Sequence, residues 1–187
     1  MANRLTKIYT RGGDQGTTGL GTNDRVAKFS PRVHAMGDVD ETNSWIGHIR
    51  SALGEQHPLD AVLNQVQHDL FDVGGELAMP GYTLVSPELV RDLEAHIDRL
   101  NADLPTLENF ILPAGNEAAS RTHVARSVAR RAERQLWAAQ AEDPSLNLLA
   151  IQYLNRLSDF LFVLSRVIAR ENGGQEVLWQ SRHQRSV

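Results

Sequence analysis

After a glycine- and threonine-rich opening, apolar residues recur at steps of three and four along most of the chain, which is the spacing of amphipathic helices. Met36, Val39, Ile46, Ile49 and Leu53 share one stripe. Ser30-Pro31 stands before them as an N-cap and an N1 proline, predicting a helix from 31 to about 53. Behind Pro58, the positions Leu59, Val62, Leu63, Val66, Leu70, Val73 and Leu77 keep near-ideal spacing up to the break at Met79-Pro80-Gly81. Ser86-Pro87 opens a third helix with Val90, Leu93, Ile97 and Leu100 inward, closing near Leu104-Pro105. A fourth is expected over 117–141. Asp143-Pro144 separates it from a last helix with Leu149, Tyr153, Leu157, Leu161, Leu164 and Ile168 on its inner face, stopping at Gly173-Gly174. The single strand candidate, 7–10, is too short to build a sheet, and no internal repeat is present. The pattern predicts an all-α, antiparallel five-helix bundle with an extended glycine-rich N-terminal segment.

With 187 residues, 41% hydrophobic and 22% charged, the chain is long enough for one core and short for two, so 1–187 is expected to be a single domain. Its polar end, 175–187, is expected to be frayed and outside the chemistry. The absence of cysteine excludes disulfides, iron–sulfur clusters and thiolate zinc sites, and the seven histidines form no HExxH pair. The opening lacks the apolar core of a signal peptide, and the most apolar run, 160–164, is far too short to span a bilayer, so a cytoplasmic protein without membrane contact is expected.

Charge changes this picture at one place. The formal net charge is −4, yet 121–134 holds five arginines against one glutamate. On a helix Arg126, Arg130, Glu133 and Trp137 follow at steps of four, three and four and share a face, where the arginines repel one another by a few tenths of a kcal/mol per pair. Two readings stand: a solvated basic face, or a site for a polyanion whose oxygens match guanidinium forks. Confinement of the excess charge to one segment argues against nucleic acid, which asks for a broad basic surface.

The opening Thr10 to Gly21, TRGGDQGTTGLG, suits an anion in another way, because glycines let backbone N–H groups close on phosphate oxygens. It is neither a GxxxxGK[ST] loop nor a GxGxxG turn. A flexible terminal turn is its plain alternative. Asp14 is placed to hold Mg²⁺ directly or through water, with Arg11 and Lys28 reaching the remaining oxygens. Asp40, Asn43, Ser44 and Gly47 line a polar stripe beside the apolar one; it either faces solvent or lets Asp40 orient an arginine of the later helix. Phe110-Ile111-Leu112-Pro113-Ala114-Gly115 lies outside the helical pattern and implies a buried loop, as an anchor to the core or as a wall for a large flat ligand. On the last helix Asn155 interrupts an apolar run, and Arg156 and Asp159 are spaced for an i,i+3 ion pair.

Five separated motifs, IYTRGGDQGTTGL, PRVHAMGDVDETNSWIG, FILPAG, ARSVARRAER and YLNRLSDFLF, occur in an order and at distances that resemble the PduO-type ATP:cob(I)alamin adenosyltransferases, over most of residues 8 to 165. The resemblance implies a five-helix bundle assembled as a homotrimer with active sites between subunits. It also implies a reaction: a Co(I) corrinoid attacks the ribose 5′ carbon of ATP, giving adenosylcobalamin and intact triphosphate. It places nucleotide contacts in the segment 1–29 at Thr10, Arg11, Gly12, Gly13, Thr18 and Lys28, and further along at Arg130, Arg131, Glu133, Arg134 and Asn155. Arg126 matches an arginine paired across the interface with an aspartate matching Asp40. Phe110 matches the aromatic that displaces the lower axial ligand of cobalamin, with Phe162 in the same apolar pocket; Arg126, Arg130, Asp40 and Phe110 are the residues expected to carry catalysis.

These implications agree with the chemistry. A polyanionic leaving group calls for guanidiniums, N–H donors and Mg²⁺ held mainly by the ATP phosphates, and no general base is needed. An apolar wall keeps water and the lower base off cobalt. Three positions depart from the usual pattern: Arg11 stands where lysine is common, Phe29-Ser30 replaces a more acidic pair, and Gly37-Asp38 adds a carboxylate beside Asp40. The resemblance leaves room for a reductase and an adenosylcobalamin-dependent enzyme as partners. Two alternatives remain: a non-catalytic ATP or corrinoid sensor on the same bundle, or a purely structural bundle.

Overall fold

In the computed structural model, which describes residues 8–22 and 24–183, five helices carry the chain: α1 (Pro31–Leu53), α2 (Asp60–Ala78), α3 (Pro87–Ala102), α4 (Glu117–Glu142) and α5 (Leu148–Ala169). Main contacts pair α3 with α5, α5 with α4, α4 with α1 and α1 with α2. Short connectors, 54–59 and 143–147, join α1 to α2 and α4 to α5, the two consecutive pairs that pack directly on each other.

Periodicity decides which faces turn inward. On α5, Tyr153, Leu157, Leu161, Leu164 and Ile168 are all fully buried, as their spacing requires. Removing three carbons from one of them, as in Leu161→Ala, is expected to cost about 2–5 kcal/mol. The inner face of α4 is built differently. Ala118, Ala125, Ala129, Ala132 and Ala139 are buried there, so the arginine-bearing helix meets α1 and α5 largely through small side chains while Arg130 and Arg134 stay exposed. Asn116 caps α4, its side-chain oxygen accepting from the Ala119 N–H at 2.9 Å. Ser30 and Ser86 occupy the N-cap positions of α1 and α3 without a side-chain cap bond; the prolines that follow them still set the helix starts.

Two buried carboxylates tie helices and connectors together. Glu76 of α2 accepts from the Val85 N–H at 2.5 Å and from the Asn147 amide at 3.2 Å, pinning the α2–α3 and α4–α5 connectors to each other. Tyr153 donates to Asp69 at 3.0 Å across α5 and α2, and Gln65 donates to the other carboxylate oxygen at 2.8 Å. Burial first, opposed by those two hydrogen bonds, pushes the Asp69 carboxyl above its ordinary range.

Three expectations change. The segment 8–10 forms no strand and Lys7 lies outside the described residues; the strands are β1 (Thr17–Gly19) and β2 (Arg25–Ala27), antiparallel, with Thr18 opposite Val26. Ile8 and Tyr9 are exposed, whereas 17–27 folds back on itself. The last helix ends at Ala169 rather than Gly173, since Asn172 and Gly173 both take positive φ and a short 3₁₀ turn intervenes. The tail is not frayed where described: Glu176 pairs with buried Arg166 and, at 2.8 Å, with Arg170. Residues 184–187 lie outside the described part.

Candidate functional site

The glycine-rich opening is a moored loop. Arg11 sits at φ 61°, a left-handed conformation that costs a non-glycine residue roughly 1 kcal/mol and tends to persist at ligand-binding turns. Two turns follow, Asp14 N–H to Arg11 O and Gly16 N–H to Gly13 O, each 3.2 Å. A Cβ on Gly13 would stand 2.8 Å from Lys28 Nζ, so a larger residue there would push the ammonium from its place over the loop. Thr10 accepts from the Gly12 N–H at 3.4 Å, while Thr18 lies half-buried in β1 and Asp14 is exposed. The hairpin is tied to the end of α2 by the Gly21 N–H bonded to Ala78 O at 2.6 Å.

One residue in this region carried no signal in the sequence reading. Arg25 reaches back from β2 to clasp the loop, donating to Gly12 O and, through Nε and Nη2, to Thr17 Oγ1 at 3.2 and 2.9 Å. Its place three residues before Lys28 was the available clue, though no periodicity separates such an arginine from a solvated one.

The arginine stripe divides by environment. Arg126 is half-buried, and its Nε has no acceptor. Burial first, then the Arg130 charge, lowers its pKa. His123, one turn earlier, is buried with Nδ1 unpartnered; burial and then Arg126 push it down to about 4, so the imidazole is neutral near pH 7. Arg130 and Arg134 are exposed, and Arg134 donates to the Arg130 carbonyl at 3.0 Å. Arg131 points elsewhere: it pairs with Asp38 at 3.0 Å and with Glu41, so a nucleotide contact there would compete with two carboxylates. That is where the additional carboxylate of Gly37-Asp38 goes. Asn155 donates to Glu133 at 3.4 Å and links α5 to the stripe, while Arg156 pairs with Glu94 at 2.8 Å and with Asp159 at 3.3 Å.

Asp40 is exposed beside a groove of about 270 Å³ between α1 and α2, walled by Met36, Leu70 and a 73% exposed Phe71. The polar stripe splits: Asn43 is buried and donates to Gln67 O at 3.0 Å, Ser44 donates to Asp40 O, and the Asp40 carboxylate makes no ion pair with Arg126. A roomier cavity of about 460 Å³ lies near Arg50, but that guanidinium is fully engaged by Asp60, Asn64 and Gln67 and has no fork left for a ligand. Among the described residues, no hydrogen bond or ion pair joins the glycine loop to α4, and no group of three or more histidines and carboxylates is placed to hold a metal.

The 110–115 loop departs from the buried loop expected. Phe110 is 79% exposed, while Gly115, at φ 122°, is wedged against Ala119 and Ala169 where a Cβ would stand 3.2 and 3.3 Å away. The tail holds the loop open. Leu112 N–H donates to Val177 O at 2.7 Å, Trp179 N–H donates to Phe110 O at 2.8 Å, and the Asn109 amide donates to Trp179 O. Trp179 meets Phe110 edge to face at 6.4 Å; Phe162 is half-buried on α5 and is not that ring partner. The signal in the sequence was the apolar run Val177-Leu178-Trp179 inside a polar tail.

Five helices, a moored glycine loop, a cationic face on which Arg126, Arg130 and Arg134 make no ion pair among the described residues, and an exposed aromatic make up an all-α bundle. The chain belongs to the cobalamin adenosyltransferase family, which it matches over residues 8–168. It is 52% identical over 180 residues to a cobalamin adenosyltransferase of Cupriavidus metallidurans, covering 96% of this chain and 97% of the relative. With a corrinoid adenosyltransferase of Mycobacterium leprae it shares 50% identity over 192 residues, covering 96% and 98%. Among solved structures, it resembles a phenylalanine-to-alanine variant of a PduO-type ATP:corrinoid adenosyltransferase from Lactobacillus reuteri complexed with cobalamin and ATP, with TM-score 0.86, 35% identity and coverage of 94% and 100%.

Proposed function

We propose that this protein transfers the 5′-deoxyadenosyl group of ATP to the cobalt of cob(I)alamin, forming adenosylcobalamin and releasing triphosphate. The observation that carries the reading is Phe110, a large aromatic 79% exposed yet pinned by backbone bonds to the tail, in a molecule that also presents Arg130 and Arg134 without an ion pair among the described residues. Such a pairing suits a flat apolar macrocycle brought up to a polyanion.

In this reading the cobalt electron pair attacks C5′, the C5′–O bond breaks, and the electrons leave on the triphosphate. Arg130 and Arg134, with Lys28, Arg11 and the N–H groups of Gly12 and Gly13, bind and orient that chain and lower the energy of the charge gathering on the departing oxygen. Thr10, Thr18, Glu133 and Asn155 complete the nucleotide contacts, and Phe110 with Phe162 excludes water and the lower base from cobalt. Asp14, exposed on the loop, is a carboxylate suited to share Mg²⁺ with the phosphates, and the ion would supply further neutralisation there.

The separation of loop and stripe within one chain supports an active site shared between copies. In a homotrimer, Asp40 of one copy would meet the unsatisfied Arg126 of the next. The enzyme would act in the cytoplasm, beside a reductase that supplies Co(I) and an acceptor that uses the product. The test is direct: MgATP and chemically reduced cobalamin are mixed with the protein, and the adenosylcobalamin spectrum and triphosphate are followed. ATP bound without turnover would replace this reading with a sensor.

A further inference from the structure

We propose that Arg25 is a positioning residue for the reaction, a clasp that holds the glycine loop in the shape that receives triphosphate. The inference rests on the proposed function. Arg25 stands opposite Gly19 in the two-stranded ribbon, and its guanidinium turns back along β1 to span two points of the loop. One end, Nη2, reaches the Gly12 carbonyl, 13 residues away; the same nitrogen reaches Thr17 Oγ1 at 2.9 Å and Thr17 O at 3.2 Å, and Nε reaches Thr17 Oγ1 at 3.2 Å.

Those contacts bracket the residues that matter. Gly12 follows the left-handed Arg11, and Thr17 follows Gly16, whose φ of 77° sets the second bend. Holding Gly12 O fixes the direction of the peptide that carries the Gly13 N–H. Holding Thr17 fixes the end of the turn whose Gly16 carbonyl accepts from the Lys28 N–H at 2.9 Å, so the loop and the Lys28 ammonium are aligned together. Little else could do so, because this segment is exposed and contributes no residue to the hydrophobic core. A loop of this kind is ordered by its hydrogen bonds or by its ligand, and Arg25 supplies the first.

The consequence concerns affinity. If the unclasped loop is competent only about a tenth of the time, the apparent KM for ATP rises about tenfold, while kcat at saturating ATP stays within a factor of two because bound nucleotide restores the shape. A lysine keeps the charge but cannot bond Gly12 and Thr17 at once as a planar fork does.

The test compares wild type with Arg25→Ala, Arg25→Lys and Arg25→Gln in ATP titrations at saturating cob(I)alamin, together with thermal unfolding and amide hydrogen exchange over 12–19. The expected result is a raised KM for ATP in all three variants, an unchanged KM for cob(I)alamin, an unchanged Tm, and faster exchange that returns to the wild-type rate when MgATP is added. Wild-type KM in Arg25→Lys would reduce the residue to a charge; wild-type KM and exchange in Arg25→Ala would remove the role; a fall in Tm with equal losses in kcat would make it purely structural. Failure of the wild type to turn over would instead strike the proposed function, and the exchange measurement with MgATP would still decide whether the clasp exists.

Discussion

The half-buried Arg126 makes the sharpest claim about assembly. Within one chain its Nε is removed from water with no acceptor, and Asp40 stands exposed without reaching it. An unmade hydrogen bond at a buried donor costs about 1–3 kcal/mol, and one made to a charged partner returns about 1.5–3 kcal/mol. If Asp40 of a neighbouring copy supplies that acceptor, each interface should gain about 1.5–3 kcal/mol from the pair, or roughly 10- to 150-fold in its association constant. The assay is a double-mutant cycle by sedimentation across a range of protomer concentrations. Asp40→Asn keeps an acceptor oxygen but loses the charge, and should weaken assembly by about half that energy. Arg126→Met keeps the stem and removes the fork. Combining them should add little to the larger single effect, with a coupling of about 1 kcal/mol or more. Strictly additive losses, or assembly unaffected by either change, would refute the pairing.

Three further outcomes are expected. Arg130→Ala should leave Tm within about 2 °C, because an exposed arginine contributes little to stability, while steady-state turnover falls at least 100-fold, or about 2.7 kcal/mol of transition-state stabilisation; wild-type turnover would exclude Arg130 from the site. Phe110→Ala should retain ATP binding, measured by calorimetry, and lose the four-coordinate Co(II) signal in electron paramagnetic resonance; an unchanged signal would contradict the apolar wall. Tyr153→Phe should destabilise the fold by about 1.5–3 kcal/mol in urea unfolding, since it removes the Tyr153 donor from one oxygen of a buried carboxylate and leaves only the Gln65 bond to the other. The Asp69 carboxyl is already raised by burial, and losing this hydrogen bond raises it further. Stability linked to a raised carboxyl is present below its unfolded pKa and lost as pH rises through the folded one, so the deficit should widen with increasing pH and shrink toward pH 4. A deficit that does not vary with pH would refute the linkage.

The helices were legible because each buries a continuous stripe: the spacing of Leu63, Val66, Leu70, Val73 and Leu77 allows no other regular structure to hide them. Chain-end chemistry was less so. The tail at 175–183 reads as polar, yet Glu176 finds Arg166 and Trp179 finds Phe110 through contacts distant in sequence. Likewise, five arginines in a row of helical positions announce a cationic face without saying which of them are free.

From residue order alone come the five helices, their inward faces, the all-α class and the family resemblance carried by five motifs, since all of these depend on local periodicity and on residue identity. Folding decided the rest. It turned Arg131 toward Asp38 and Glu41, left the Nε of Arg126 buried and unsatisfied, set Arg25 across the glycine loop, and opened Phe110 to solvent against Trp179. Those outcomes depend on which side chains meet across helices and hairpins, and a guanidinium carries the same charge in sequence whether a carboxylate waits for it or not.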